Sequence, residues 1–600
     1  MLKILIYSLL VFIPSSQAAI QFVDVPANKR FPDSRESGSI RFACAASQDE
    51  LAASFAAQGL RFDASLVRVN KSSVCHIHYV PTLKGFRAHP DSVPARQIFL
   101  DLEHKSLLGR RTLVFGDSID MAKAILAELP RPLDVALSVP LKVKGPYYEN
   151  ALRHYFPEHA GQIWLRDRPV EAHQTWAQDY MKSGDAAGET RVLMPRRAFE
   201  GQAGYGETFN GLLKSFSQRT WVRSKLAWEG GDLIFAHDPR DPSRLLLFFG
   251  DAARPYWGST LTGGEYGYVL ATEFGADSAV YMGGIAPHVD YFVSFLPEDN
   301  IALAATPLQE DFELSRNALE LLLSVVTRPL PPVLERLRTV FETRESSFGM
   351  NAELARALIA QARAESPKWA TPVSADLYSR LTEHISDNCA RDAATCLSEA
   401  RLPGLIENQP GLMRDWVEFT FQLRTAEMLP RALLSIMESQ IPGSAMPGQA
   451  QAEEKIRELR DLGYTVIRVP SIGADFTSDT RWAGISYVNS ALIDRTLFVP
   501  FFGLGAPELR ILNGLVSQLP RHYRVVPVYA RYAQLHNGGA HCILAFIRDA
   551  RAVAPMGETL NSQTTSDGPQ IQGIPKRTHP TLNHSGAPNG EPNLHLAEPD

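Results

Sequence analysis

The stretch LHNGGAHCIL, residues 535–544, places a His-Cys pair at the start of an apolar, strand-like run near the end of the chain. Gly538 and Gly539 carry no Cβ, so the main chain can approach a bound ligand just before Cys542. A cysteine attacks as a thiolate, and its reference pKa of about 8.5 leaves it mostly protonated unless a cation, a histidine or a bound substrate shifts it. Cys542 is therefore a candidate nucleophile, and a buried strand cysteine beside a loop is the structural alternative.

The composition is typical of a soluble globular protein with a large core. Of the 600 residues, 45% are hydrophobic and 21% are charged, and the formal net charge is -6. Because the chain has no excess of basic residues, neither nucleic acid nor an anionic membrane is expected as a partner. No later stretch approaches about 20 consecutive apolar residues, so no membrane-spanning helix is expected.

Residues 1–18 have the pattern of a signal peptide. A lysine precedes a mostly apolar run from Ile4 to Ile13, Pro14 interrupts the run, and Ser16-Gln17-Ala18 offers the small residues that a signal peptidase needs. Cleavage after Ala18 would export the mature protein, so we expect a secreted or periplasmic location.

Five cysteines in an exported protein can form disulfides, and the odd count leaves at least one sulfur unpaired within the monomer. Cys389 and Cys396 are close in sequence and predict a short-loop disulfide. Cys44 and Cys75 flank an Ala-rich helix and a following strand, and they predict a second one. Cys542 then keeps a free thiol.

Residues 19–130 predict a small accessory α+β domain. His76 and His78, two apart on a predicted strand, could share a face as metal ligands, but no third ligand lies nearby in the sequence and no metal site is predicted. Apolar periodicity predicts helices over Ser47–Gln58 and Ser118–Leu129, and strands over Leu66–Tyr79 and Arg111–Phe115.

Residues 131–551 alternate between strand and helix patterns and predict one α/β domain. Within it, residues 310–445 carry few strand signals and are interpreted as a helical insertion. Residues 552–600 are rich in Pro, Gly, Asn, Ser, Thr and His without apolar periodicity, which predicts a disordered tail. A helix is predicted over 147–155, and strands are predicted over 133–143, 162–165, 245–249, 465–469, 484–488, 496–500 and 525–528.

Two motifs place charged groups in apolar surroundings. His288 and Asp290 are two apart in a strand-like run, so both side chains are expected on one face; a polar pair at a strand edge is the structural alternative. Glu229 and Asp232 flank two glycines whose backbone could approach a ligand, although Gly-Gly-Asp also forms ordinary turns.

A third motif, Trp176 with Asp179 three residues later, adds an aromatic ring and another acid. Carboxylates, a histidine, a thiol and a ring together suit a guanidinium, which stays protonated, pairs with carboxylates in bidentate fashion and stacks on rings. A zinc site uses similar residue types, but His541 and Cys542 would point to opposite faces of a strand, and no second Cys or spaced His pair completes a tetrahedral set. A Cys-His-Asp protease or amidase is an alternative that leaves the number of acids unexplained.

The chain resembles the protein-arginine deiminases, in order and approximate spacing, at four places: TWAQD (175–179), LFFGD (247–251), PHVDYFVSFLP (287–297) and the turn ending in His541-Cys542. Its EGGD motif (229–232) is more similar to the arginine and agmatine deiminases of the same guanidino-group modifying superfamily. The resemblance covers roughly residues 131–550. It implies the pentein fold, an α/β propeller of five modules around a pseudo-fivefold axis, with the site where the modules meet.

The resemblance also implies roles for the matching residues. Cys542 would attack the central carbon of the guanidinium, while His288 would protonate the departing ammonia and then activate water to hydrolyse a covalent thiouronium intermediate. Asp179 and Asp290 would bind the guanidinium. The substrate-binding candidates are Trp176, which would wall the arginine channel, Glu229, which would orient His288, and Asp232, Asn537 and His541.

Two positions depart from the family pattern. Lys182 stands where vertebrate members have a glutamate that helps to hold an activating calcium, so no required cofactor is predicted and calcium is left as the alternative. His536 stands where those enzymes have an arginine that binds the peptide backbone.

The expected function is that of an exported cysteine hydrolase that converts peptidyl arginine in proteins or peptides to citrulline and ammonia. One alternative is a deiminase of free arginine or agmatine, which the EGGD motif favours. The other is a secreted binding protein with a pentein fold and no catalysis.

Overall fold

The computed structural model describes residues 20–25, 39–70, 73–101, 118–129, 133–139, 163–167, 181–196, 221–252, 261–284, 288–307, 449–472, 485–530 and 539–549, with isolated helical positions between 332 and 383. Several predictions lie outside these residues: the signal peptide, the tail, the strand at 111–115, the helix at 147–155 and the disulfide Cys389–Cys396. The candidate site residues Trp176, Asp179 and Asn537 lie outside them as well.

The N-terminal part of the chain forms a four-stranded antiparallel sheet with strand order β1-β2-β4-β3. Cys44 and Cys75 lie opposite each other on neighbouring strands and form the predicted disulfide. The prediction of one strand over Leu66–Tyr79 is wrong, because Asn70 pairs with Ser73 and the chain reverses between them. The elements are β1 (Gln21–Asp24), β2 (Ile40–Ala45), the helix α1 (Gln48–Ala57), β3 (Arg68–Asn70) and β4 (Ser73–Tyr79).

The other described strands form five sheets of three or four strands, and each sheet contains an antiparallel pair followed by a parallel strand. In strand order the sheets are β22 (Leu544–Arg548), β6 (Ala95–Asp101), β7 (Asp134–Val139), β8 (Ile163–Asp167); β11 (Trp221–Arg223), β10 (Glu189–Met194), β9 (Lys182–Ala186), β5 (Arg87–Ala88); β12 (Leu233–Asp238), β13 (Asp241–Phe249), β14 (Ser278–Tyr281); β15 (Val293–Leu296), β16 (Ile301–Pro307), β17 (Thr465–Ile472), β18 (Ile485–Ser486); and β19 (Ala491–Ile493), β20 (Thr496–Phe501), β21 (Arg524–Tyr529).

In four of these sheets a described helix lies in the chain between the two parallel strands, as parallel pairing requires a crossover connection. The predicted helix at 118–129 is confirmed, and so are the strands predicted over 162–165, 245–249, 465–469, 496–500 and 525–528, to within a few residues. Of the strand predicted over 133–143, residues 134–139 form β7 and residues 140–143 lie outside the described residues, while 484–488 contains only the short β18. Among the described residues, no helix has both the length and the apolar character needed to cross a bilayer. The crossover helices are α2 (Ser118–Ala127), α3 (Gly263–Phe274), α4 (Gln449–Asp461) and α5 (Ala506–Gln518).

The sheet β22-β6-β7-β8 joins strands that are far apart in sequence. β6 pairs with β22 on one side, in antiparallel fashion, and with β7 on the other. The sheet therefore contains strands from both sides of residue 130, where the sequence pattern places a domain boundary. Along the chain, that position lies between α2 and β7. The apolar periodicity of a single element does not reveal its pairing partner, and β6 pairs with a strand whose residues lie more than 400 positions later in the chain.

The N-terminal sheet is attached to the rest of the fold through α3. This helix starts at a capping box, in which Thr262 and Glu265 exchange hydrogen bonds, and its buried Glu273 faces the N-terminal part of the chain. The Glu273 carboxylate accepts hydrogen bonds from the hydroxyls of Tyr79 (2.9 Å) and Ser224, and from the backbone N–H and hydroxyl of Thr82 (2.7 and 2.6 Å). One buried acid thus joins three segments.

Replacing Glu273 with alanine should lower the free energy of unfolding by roughly 3 to 5 kcal/mol, because several buried donors lose their acceptor together. The measurement is the urea midpoint of the purified protein. Glu453→Ala is the control, since the Glu453–Arg468 pair is exposed and should contribute less than about 1 kcal/mol. Equal midpoints for the two variants would contradict the joining role.

A second buried acid, Glu508, lies in the first turn of α5. Its carboxylate accepts hydrogen bonds from the backbone N–H groups of Phe502 and Leu504, both at 2.7 Å, and so fixes the loop between β20 and α5. Burial raises the pKa of Glu508 from its ordinary 4.5 to about 7, although both hydrogen bonds oppose the rise.

The free energy of unfolding should therefore depend on pH through Glu508. Between about pH 5 and 7 the folded protein retains this proton and the unfolded chain has lost it, so stability falls as pH rises, by up to about 3 kcal/mol. Urea midpoints at several pH values check this in the parent and in Glu508→Gln, which cannot titrate there. A parent protein whose pH dependence over this window matches that of the variant would refute the assignment.

Candidate active site

Cys542 lies in a turn that directly precedes β22, and its side chain is buried. The N–H of Leu544 donates to the carbonyl of His541 at 3.1 Å, which closes the turn. The expectation of a strand, with the side chains of His541 and Cys542 on opposite faces, is wrong. In the turn both side chains reach Oδ2 of Asp290: Nδ1 of His541 lies 3.0 Å from it, and Sγ of Cys542 lies 3.5 Å from it.

His288 and Asp290 also belong to a turn. The backbone of His288 is extended, and Val289–Tyr291 form a turn of 3-10 helix that Phe292 separates from β15. The N–H of Tyr291 donates to the carbonyl of His288 at 3.2 Å, so the prediction of a strand that carries both side chains on one face is wrong. Asp290 contacts Cys542 as described, whereas Nε2 of His288 lies 2.6 Å from Oε2 of Glu229.

Glu229 precedes another turn of 3-10 helix, Gly230–Asp232, in which Asp232 is buried. Oδ2 of Asp232 accepts a hydrogen bond from the N–H of Ala252 at 2.9 Å. Burial raises the pKa of Asp232 well above its ordinary range; the charge of Glu229 adds to the rise and that of His288 opposes it. The buried carboxyl group of Asp232, near the His288–Glu229 pair, therefore favours its neutral form.

Asn489 is a residue of this site that the sequence analysis missed. Its buried side chain donates a hydrogen bond from Nδ2 to Sγ of Cys542 at 3.2 Å. Its Oδ1 and its backbone oxygen accept from the N–H of His541 at 3.2 and 3.3 Å. Because a backbone N–H can only donate, the amide oxygen must face His541 and the NH₂ group must face the sulfur.

Gly539 allows this arrangement, since a Cβ at that position would lie 2.4 Å from Oδ1 of Asn489. The sequence signal for Asn489 is weak. It consists of an Asn-Ser pair inside an otherwise apolar run, which is also typical of a loop between strands.

The site has two groups of side chains with different chemistry. In the first, the thiol of Cys542 lies between an amide donor and the carboxylate of Asp290. This arrangement suits a thiol that acts as nucleophile next to an acid that binds a cation. In the second, His288 contacts the carboxylate of Glu229, which can hold the imidazole in one orientation for proton transfer. The parts of Trp176, Asp179 and Asn537 stay predictions.

A cavity borders the site at His541. It is also lined by His89, Lys182, Phe235, Phe546 and Arg548. Lys182, which departs from the family pattern in the sequence, thus lines the same cavity as His541, the residue before Cys542.

Within the described ranges, no group of three or more His, Cys, Asp or Glu side chains could hold a metal ion. His76 uses both ring nitrogens in hydrogen bonds: Nε2 accepts from the N–H of Asp63 at 3.1 Å, and Nδ1 contacts the carbonyl of Ile77 at 2.5 Å. Burial lowers the pKa of His76, so the neutral ring serves the core of the N-terminal sheet.

No protein-family model matches this sequence, and no curated protein does either. Among solved structures, the chain is similar to the agmatine deiminase of C. jejuni, with 12% identity, coverage of 77% of this chain and 96% of that chain, and a TM-score of 0.42. It is similar to a provisionally assigned peptidyl-arginine deiminase, with 12% identity, coverage of 78% and 100%, and a TM-score of 0.41. It is also similar to the agmatine deiminase of Enterococcus faecalis, with 11% identity, coverage of 78% of this chain and 96% of that chain, and a TM-score of 0.38.

Replacing Asn489 with aspartate should slow alkylation of Cys542 by iodoacetamide at pH 7 by about tenfold or more, because a carboxylate facing Sγ disfavours the thiolate. Peptide mapping by mass spectrometry follows Cys542 separately from the other cysteines. Ser490→Ala is the control, since the Ser490 hydroxyl donates only to the carbonyl of Val488. Unchanged alkylation in Asn489→Asp would show that the amide does not act on the sulfur.

Proposed function

We propose that this protein is an exported cysteine hydrolase that deiminates arginine side chains of peptides or proteins, producing citrulline and ammonia. The observation that carries the proposal is the shared contact of Cys542 and His541 with one carboxylate oxygen of Asp290, beside a separate His288–Glu229 pair. The similar solved structures named above are also described as deiminases.

The electrostatics favour a cationic substrate. Asp290 is buried, and a buried carboxylate is costly unless a cation or several donors compensate it. A guanidinium supplies a permanent positive charge and a planar set of N–H donors that fits one or two carboxylates. Asp179, from the sequence, is the proposed second carboxylate. With the cation bound to Asp290, a thiolate nearby is no longer opposed by an uncompensated negative charge.

The proposed reaction has two halves. In the first, the thiolate of Cys542 forms a C–S bond to the guanidinium carbon, His288 gives a proton to one terminal nitrogen, the C–N bond breaks, and ammonia leaves a thiouronium. In the second, His288 takes a proton from water, the water oxygen bonds to the same carbon, and the C–S bond breaks. The products are a ureido group and the regenerated cysteine. Glu229 would hold His288 in the orientation that both transfers need, and Trp176 would wall the channel.

We also propose that the five sheets form a pentein propeller. Two repeated features support it. Each sheet has an antiparallel pair followed by a parallel strand, and in four of the sheets a described site residue comes shortly before one strand of that pair. These are Cys542 before β22, Glu229 before β12, Asp290 before β15 and Asn489 before β19, and the sequence candidate Asp179 comes before β9.

Export, and independence from calcium, are parts of the same proposal. The signal-peptide pattern of residues 1–18 supports export, and the Cys44–Cys75 disulfide is compatible with an oxidising compartment. Lys182 supports calcium independence, because an ammonium cannot coordinate a metal ion.

A second candidate function is the deimination of free arginine or agmatine. The 2.6 Å contact of Glu229 with His288 favours it, because this glutamate belongs to the EGGD motif that resembles the enzymes with small substrates. A binding protein without catalysis is the candidate from another class, and it predicts that Cys542 does not react with iodoacetamide at neutral pH.

The purified protein should release citrulline and ammonia in equal amounts from an arginine-containing peptide, and the rate should be the same with calcium and with a chelator. Cys542→Ala should abolish turnover because no other group of the site can form the covalent intermediate. Free arginine and agmatine are assayed in parallel. Turnover of only these small compounds would select the second candidate, and silence on all three with an unreactive Cys542 would select the binding protein.

A further inference from the structure

The dipeptide Gly250-Asp251 follows β13 directly and has no part in the reaction proposed above. Asp251 is buried, and each of its carboxylate oxygens has a partner. Oδ1 accepts a hydrogen bond from the hydroxyl of Tyr281 at 2.5 Å, and Oδ2 accepts one from the N–H of Gly284 at 2.7 Å. Tyr281 ends β14 and Gly284 belongs to the turn after it, so Asp251 fixes the chain four residues before His288.

Gly250 contacts the other half of the pair. Its N–H donates to the carbonyl of Asp232 at 3.3 Å, within the turn that follows Glu229. A Cβ on Gly250 would lie 2.2 Å from Oδ1 of Asp232 and 3.6 Å from the backbone nitrogen of Val289. The backbone of residue 250 therefore lies against both turns, the one that carries Glu229 and the one that begins after His288.

We infer that Asp251 is a positioning residue that sets the placement of His288 relative to Glu229, by fastening β14 and its turn to the end of β13. This inference rests on the proposed function, in which His288 carries the proton in both halves of the reaction. The hydrogen bonds of Asp251 hold Tyr281 and Gly284, which precede His288 in the chain, and Gly250 contacts Asp232, three residues after Glu229, and lies near Val289, the residue after His288. The dipeptide thus ties the two turns to a single strand end.

Asp277 provides a matched control. It lies at the opposite end of the same pair of strands, where its Oδ2 accepts from the N–H of Leu245 at 2.7 Å and contacts Arg87 at 2.9 Å. Asp277 and Asp251 thus both fasten β14 to β13, but only Asp251 does so beside the turn of His288. A purely structural role predicts similar effects of the two substitutions on turnover.

The test compares Asp251→Asn, Tyr281→Phe and Asp277→Asn by steady-state kinetics on the arginine substrate and by iodoacetamide alkylation of Cys542. In Asp251→Asn, kcat should fall on the order of 10²-fold with KM and alkylation little changed, because a displaced proton carrier slows proton transfer without moving the nucleophile. Tyr281→Phe should lose less, since the Gly284 contact remains. Asp277→Asn should keep the parent kcat and pH profile.

A second readout does not need turnover. The ring C–H signal of His288 in the proton NMR spectrum, assigned by its loss in His288→Gln, should move in Asp251→Asn and stay in place in Asp277→Asn. An unmoved signal in folded Asp251→Asn, or equal losses of kcat in the two asparagine variants, would overturn the inference. A parent protein that turns over no guanidino compound would overturn the proposed function instead, and the NMR comparison would still decide the position of His288.

Discussion

The buried carboxylate of Asp290 is the constraint on which the site depends. Its Oδ2 contacts both Nδ1 of His541 and Sγ of Cys542, which belong to a segment about 250 positions later in the chain. Such a carboxylate cannot be left uncompensated in a low-dielectric interior, so the fold must bring donors to it. The turn before β22 does so by presenting two consecutive side chains to the same oxygen. The thiol of Cys542, the proposed nucleophile, and the carboxylate of Asp290 are consequently held together by the fold itself.

The supporting residues act on backbone as much as on side chains. Asn489 uses its amide to bind the N–H of His541 and the sulfur of Cys542 together, so the loop before β19 fixes the loop before β22. Asp251 uses both oxygens to hold the turn that leads to His288. The segments that carry Cys542 and precede His288 are therefore both held by a buried polar group from another part of the chain, and these hydrogen bonds disfavour alternative loop conformations.

The proposed propeller arrangement of the repeated sheets would bring loops that are distant in sequence together. Candidate site residues come shortly before one strand of an antiparallel pair in several sheets, including Glu229 before β12 and Cys542 before β22. If equivalent ends of similar units lie around a common centre, short connections there suffice to build a site. The N-terminal sheet lies outside this pattern, and the buried Glu273 attaches it to α3.

The sequence by itself determined most of the strands and helices and several of the residues that meet, since apolar periodicity and the identities of Cys542, His288 and Asp290 are local properties. It also predicted the Cys44–Cys75 disulfide, from two cysteines that flank a predicted helix and strand, and the structure confirms that pairing. Only the tertiary structure decided that the segments around His288 and Cys542 are turns rather than strands. In these turns the backbone conformation brings buried polar side chains into contact with partners that are distant in the sequence. For the same reason it alone revealed Asn489, whose importance lies in two contacts across the fold and not in its neighbours along the chain.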